Sequence, residues 1–309
     1  MALNKIDKEF AIKILAILLG LILVIMLIVP AFKTNEMVAY ATNDGLVVKN
    51  LKSGKILAEV TGGNIDSPKF SSDGKYVVYK DGFALYGLRV KKGSKPFLIN
   101  NNVGSFTFSN KGQKVYYAPN KAEGIYSYDL GKGKSSVTEI APSGFIAQKL
   151  TFVGDLLCAE KYIIDNVTKE LKQTSISGYD LKNKTERVLV AFKSATADDP
   201  GVVPKIIGVT PDQKRLYFFA YPEFSEMVKD GVSLGWVEID NADTTVIPRS
   251  DMSLLPFEGN VSIMKNDPKK VAVTAGFGKY IGENKKVGIF DTETLQFTPI
   301  EDNDNISAY

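Results

Sequence analysis

The chain has no histidine and a single cysteine, Cys158, among its 309 residues. Without histidine there is no Ser-His-Asp or Cys-His pair, no imidazole general base, and no zinc site built on imidazole. With one cysteine there is no intrachain disulfide and no thiolate cluster for zinc or iron–sulfur. These absences remove most enzyme chemistry, so the chain is expected to be no enzyme and to hold no cofactor or metal. An excess of one charge is also lacking. The net charge is +3, and Lys5, Lys8, Lys13 and Lys33 against Asp7 and Glu9 supply two of those charges. The other basic residues are scattered among acids, at turns such as Lys91-Lys92 and Lys269-Lys270. A nucleic-acid partner calls for a clustered basic excess, and none is expected here.

One long apolar run is present. Ile14 to Phe32 spans nineteen residues without a charge, which as a helix would measure roughly 28 Å against a hydrocarbon core of about 30 Å. Lys5, Lys8 and Lys13 precede it, so the positive-inside bias places the short N-terminal tail in the cytoplasm. The expected organisation is a cytoplasmic tail over 1–13, a transmembrane signal anchor over 14–32, a linker over 33–36 and an extracytoplasmic domain over 37–309. That makes a single-pass protein of the cell membrane. A cleaved signal peptide is the rival, with Val29-Pro30-Ala31 an imperfect cleavage site. Cleavage after Ala31 would make the protein secreted.

After residue 36 the chain repeats. Phe70-Ser-Ser-Asp-Gly-Lys-Tyr-Val-Val-Tyr79 is the cleanest copy of a first unit. Others run Phe108–Tyr117, Val209–Phe218 and Ile263–Val273, and Phe152–Ala159 is a shortened fifth. Each reads as a hairpin, with a turn dipeptide between period-two apolar runs that supply strands with one buried face. Cys158 falls in the second strand of its copy, where a buried, inert thiol is expected. A second strand–turn–strand unit follows each first one. Its six copies begin at Leu46, Leu85, Ile125, Ile176, Gly235 and Val287, roughly 40–60 residues apart. Asp129, Asp180, Asp240 and Asp291 hold equivalent places in four of them and read as turn caps that accept backbone N–H groups.

The F-S-x-D-G-K-x-V-x-Y form of residues 70–79 resembles the WD40-like repeat of TolB-type β-propellers, and the likeness extends over most of 37–300. The resemblance implies an all-β fold of four-stranded blades around a channel, with six blades favoured and seven possible. Blade one lacks its opening strand, and Leu295–Ile300 is available to complete the ring. The family also implies protein partners.

Two longer interruptions fall late in the chain, Lys193–Lys205 and Tyr221–Gly231. Long loops on a rigid scaffold carry binding residues, which makes Asp198, Asp199, Tyr221, Phe224 and Met227 the candidate partner-binding positions. Other motifs fail on context. Gly231-Val-Ser-Leu-Gly235 matches the nucleophile-elbow pattern but opens a strand and has no histidine. Gly133-Lys-Ser135 lacks the upstream glycine of a phosphate loop. The expected function is a non-catalytic, membrane-anchored docking or scaffolding module for an envelope or membrane protein. An extracytoplasmic ligand or glycan sensor is the alternative. A carboxylate-based glycan-active enzyme is a third class, which needs no histidine.

Overall fold

A computed structural model describes residues 37–109, 113–133, 137–141, 144–198, 201–223, 233–241, 243–246, 255–264, 267, 269–276 and 286–301. The apolar run at 14–32 lies outside these residues. The described chain forms twenty-three strands in six antiparallel sheets, taken in chain order. Sheet one holds β1 (Met37–Thr42), β2 (Gly45–Asn50) and β3 (Ile56–Thr61). Sheet two holds β4 (Ile65–Phe70), β5 (Tyr76–Asp81), β6 (Ala84–Arg89) and β7 (Phe97–Asn100). Sheet three holds β8 (Val103–Phe108), β9 (Lys114–Pro119), β10 (Ile125–Asp129) and β11 (Thr138–Ala141). Sheet four holds β12 (Ile146–Val153), β13 (Leu156–Ile164), β14 (Leu171–Asp180) and β15 (Thr185–Ala191). Sheet five holds β16 (Val203–Val209), β17 (Arg215–Tyr221), β18 (Ser233–Glu238) and β19 (Thr244–Val246). Sheet six holds β20 (Leu255–Ile263), β21 (Lys270–Gly276), β22 (Lys286–Asp291) and β23 (Gln296–Glu301).

The turns are built as the repeats indicate. The buried Ser71 hydroxyl accepts from the Tyr76 N–H at 3.0 Å and donates to Asp73 at 2.7 Å, closing the β4–β5 turn. Thr210 does the same work between β16 and β17, accepting from the Arg215 N–H at 3.0 Å. Asp129, Asp180 and Asp291 each accept two backbone N–H groups just after them. In sheet five the bonded residue is Asn241, which accepts from the Asp243 N–H.

In each four-stranded sheet the first strand pairs with the second through a β-bulge: β4, β8, β12, β16 and β20 all shift register. A bulge tightens the right-handed twist and re-aims the side chains beside it. The first strands are thereby bent relative to the sheets they open.

Sheets pack face to face, with one apolar core at each of the five interfaces between consecutive sheets. The second strands feed two cores at once. Val115 and Tyr117 of β9 join the core shared with sheet two, and Tyr116 and Ala118 join the core shared with sheet four. On β17, Leu216, Phe218 and Ala220 face sheet four while Tyr217 faces sheet six. This corrects the expectation of one buried face: these strands are buried on both, which is why they read as continuous apolar runs. Cys158 sits among them, fully buried between sheets four and five.

The ends of the chain also differ from expectation. Gln296–Glu301 does not complete sheet one; it pairs with β22 as the fourth strand of sheet six. Sheet one has three strands among the described residues, and β1 lies beside β4 of the next sheet.

Candidate functional site

Antiparallel connections alternate between the two ends of a sheet, so strand direction places each loop. The β13–β14 turn, the β15–β16 connection and the β17–β18 connection all fall at one end of sheets four and five. A direct bond confirms the grouping, since Glu223 Oε2 accepts from the Ala195 N–H at 2.5 Å. Lys193 and Val202 pair as an isolated antiparallel bridge, which pins the base of the 193–202 loop.

Of the candidate loop residues, Asp198 is exposed in this region. Tyr221 ends β17, half-buried, with its ring 5.9 Å from that of Phe219 and the Lys205 ammonium 4.6 Å from its centroid. Asp199, Phe224 and Met227 lie outside the described residues. Tyr221 is thus packed into the loop base, and Asp198 is on offer to solvent.

A feature that sequence reading missed stands next to these loops. β13 and β14 have nine and ten residues, the longest pair in the fold together with their turn. Ile164 pairs with Leu171 across the hairpin, and both are exposed. Val167 at the tip is 90% exposed, and Ile163 is exposed on the opposite face. Polar contacts brace the tip. Asp165 accepts from the N–H groups of Val167 and Thr168 at 2.8 Å each and pairs with Lys172 at 3.0 Å. The Thr168 N–H bond first, then the Lys172 contact and the Val167 N–H bond, hold the Asp165 carboxyl far below its usual range. Hydrogen bonding to Asp165 raises the Lys172 pKa, and Glu223 from the neighbouring loop adds to the effect. The hairpin therefore presents apolar side chains on a fixed backbone.

Beneath the hairpin a buried polar belt ties sheet four to sheet five. Glu160 of β13, only 5% exposed, accepts the Ile206 N–H at 2.6 Å. Gln173 of β14 donates to the Pro204 carbonyl and accepts from the Tyr162 hydroxyl at 3.0 Å. A buried carboxyl group needs hydrogen-bond partners, and the Ile206 N–H is one that ties β13 to β16.

At the other end of sheets three and four, Thr138, Ile140, Tyr179, Leu181 and Glu186 line an open groove of about 440 Å³. Burial first, and Glu186 second, raise the Tyr179 hydroxyl pKa well above its usual value. Lys161 pairs with Glu186 at 2.8 Å and stands 4.5 Å over the Phe145 ring. The single thiol is no nucleophile: burial pushes Cys158 up to about 12. Ser233, the serine of the elbow-like pattern, is buried as the first residue of strand β18.

No family model and no curated relative matches the chain. Solved structures do. The β-propeller domain of Cps50 (Swd1) from Myceliophteria thermophila is similar with a TM-score of 0.53 at 13% identity, over 86% of this chain and 83% of that one. Oligogalacturonate lyase from Vibrio parahaemolyticus is similar with a TM-score of 0.55 at 10% identity, over 85% and 74%. A putative TolB from Agrobacterium tumefaciens gives 0.46 at 14% identity, over 79% and 83%. At these identities the likeness shows the fold alone: the six sheets are arranged as in a β-propeller.

Proposed function

We propose that this chain is a non-catalytic, membrane-anchored β-propeller that docks a protein partner on the extracytoplasmic side of the membrane. The observation that carries the reading is the β13–β14 hairpin, which holds Ile164, Val167 and Leu171 in solvent beside the loop containing Asp198. Apolar side chains on an ordered, projecting backbone lose little entropy on binding, and their burial supplies the association energy. The uncharged run from Ile14 to Phe32 supports the anchor, and the six sheets support a six-bladed ring. β1 begins at Met37, four residues beyond Lys33, so the propeller would be held close to the bilayer and meet partners in the membrane or envelope. The absence of histidine and the buried thiol support a non-catalytic role.

The test is cross-linking in intact cells, followed by affinity capture of the tagged full-length protein. The expected result is a reproducible membrane or envelope protein cross-linked through residues 163–171 or 193–202. Cross-links to that partner that map only to other sheets, or capture of the chain alone, would reject the reading.

A further inference from the structure

The two ends of the sheets differ in charge. By the alternation of strand direction, the turns after β2, β4, β6, β8, β10, β12 and β14 fall at the end opposite the projecting hairpin. Bonds between these turns tie that end together. The Val90 N–H donates to the Lys75 carbonyl at 2.8 Å, and the Gln113 amide donates to Asp73 at 2.5 Å across sheets two and three. The described residues of these turns include nine lysines, all exposed, against Asp73 and Asp155. Lys52 and Lys55 lie between β2 and β3, and Lys91, Lys92 and Lys95 between β6 and β7. Lys132 follows β10, and Lys182 and Lys184 follow β14. Lys75 pairs with Asp73. Among the described residues Lys55, Lys91, Lys92, Lys95, Lys132 and Lys184 form no ion pair.

The neighbouring charges do not cancel this excess. At the strand ends Lys49, Arg89 and Lys114 balance Asp129, Glu139 and Asp180, and Glu186 is held by Lys161 at 2.8 Å. At the hairpin end of the same four sheets the described turns hold Lys121 and Lys169 against Asp44, Glu123, Asp165 and Glu170. The basic arc stops at sheet four. The matching turns of sheets five and six carry Lys214 and Lys269 with Asp212, Asp240, Asp243, Asp267 and Glu293. Spread along the chain these lysines read as solvated turn charge, and the fold sorts them to one end.

The chain enters the fold at this same end. β1 starts at Met37, paired with Asn50 at the head of the β2–β3 turn, and runs to Thr42, paired with Gly45 at the other end. The Met37 side chain lies against Gly74 of the β4–β5 turn. We infer that the basic arc docks on the anionic lipid headgroups of the bilayer that holds the anchor, so that the β13–β14 hairpin points away from the membrane. This rests on the proposed anchor over 14–32. Residues 33–36 join that anchor to β1 and span at most about 14 Å when fully extended. The pull of an anionic surface on a lysine persists over a Debye length of about 8–10 Å, so tether and field act over comparable distances. Charge complementarity selects an anionic surface, and the short tether selects the bilayer. Leu51, 58% exposed at the start of the β2–β3 turn, sets an apolar side chain beside Lys52, a pairing suited to the boundary of headgroups and acyl chains.

The experiment places the full-length protein in nanodiscs of phosphatidylcholine with or without phosphatidylglycerol, acylates the lysines and reads each one by mass spectrometry. With phosphatidylglycerol present, acylation of Lys91, Lys92, Lys95 and Lys184 should fall at least about threefold, and the protection should fade at ~1 M salt. Lys121 and Lys169 at the hairpin end should react equally in both lipids. Equal acylation of the arc in both lipids, or protection of Lys121 and Lys169 instead, overturns the inference. Protection of Lys184 that survives the triple variant Lys91→Gln, Lys92→Gln, Lys95→Gln unchanged would mean that the tether alone holds this face down, and overturns it too. Protection by duplex DNA but not by phosphatidylglycerol would reassign the face to a nucleic acid. The anchor is judged separately, by whether the chain stays with vesicles through an alkaline wash. If it is washed off, the anchor falls, and sedimentation with the two kinds of vesicle at neutral pH decides the lipid face. Recovery that depends on phosphatidylglycerol then supports it, and equal recovery overturns it.

Discussion

The ring of Phe218 lies against the backbone of Gly235 on the paired strand, in the space that a side chain at residue 235 would occupy. Gly87 and Phe97 repeat the arrangement in sheet two. The second glycine of the elbow-like pattern is therefore a packing residue, there because β17 and β18 need a flat patch under an aromatic ring. Gly235→Ala forces the buried Phe218 to move within a filled core and is expected to cost about 1–3 kcal/mol. Chemical denaturation of the full-length protein would show this as a lower midpoint with an unchanged slope, whereas an unaltered midpoint would mean the ring has room to yield.

Asp73 makes stability depend on pH. Burial opposes its ionisation, but hydrogen bonds from Gln113 at 2.5 Å, from Ser71 and from Lys75 outweigh that and bring its pKa down to about 2. An unfolded aspartate titrates near 3.9, so between these values the unfolded chain binds more protons. The contribution of Asp73 is complete above pH ~4 and is lost as pH falls toward ~2. Asp73→Asn should flatten the acid limb of a stability–pH profile and leave its shape above pH ~5 unchanged.

Cys158 reports on the seam between sheets four and five. Its buried thiol, held up at about 12, offers almost no thiolate at neutral pH. Maleimide labelling of the native protein should be slower than that of the urea-unfolded chain by about a thousandfold or more. Rapid native labelling would show that this seam opens on its own.

The hairpin surface can be tested apart from the fold. Val167→Asp and Ile164→Asp change exposed positions, and each should alter stability by no more than about 0.5 kcal/mol. Recovery of the cross-linked partner should drop at least about tenfold, the effect of removing a central apolar anchor. A variant that melts normally and still captures the partner would move the docking surface elsewhere.

Much of the fold could be read from the sequence because turns are short-range. Asp73-Gly74, Asp129, Asp180 and Asp291 announce themselves locally, and the strands on either side follow by periodicity. Strand length in sheet four could not be read in the same way. The repeat unit there is read only over Phe152–Ala159. In the fold Glu160 is buried and satisfied by the Ile206 N–H, a partner 46 residues away. No local pattern carries that information, and the projecting hairpin went unseen with it. The late loops were legible as long insertions, and of their named residues only Asp198 and Tyr221 fall among those described.

Tyr116 and Tyr117 are neighbours in the chain, yet they hold up different walls. Every inner sheet is a party wall between two rooms, and none can be removed as a self-contained brick. Deleting one repeat would strip a face from the sheets on both sides, and swapping a repeat with that of another propeller would have to match two surfaces at once. Variation should therefore collect at the turns and loops, while the second strands change only in concert with their neighbours on either side.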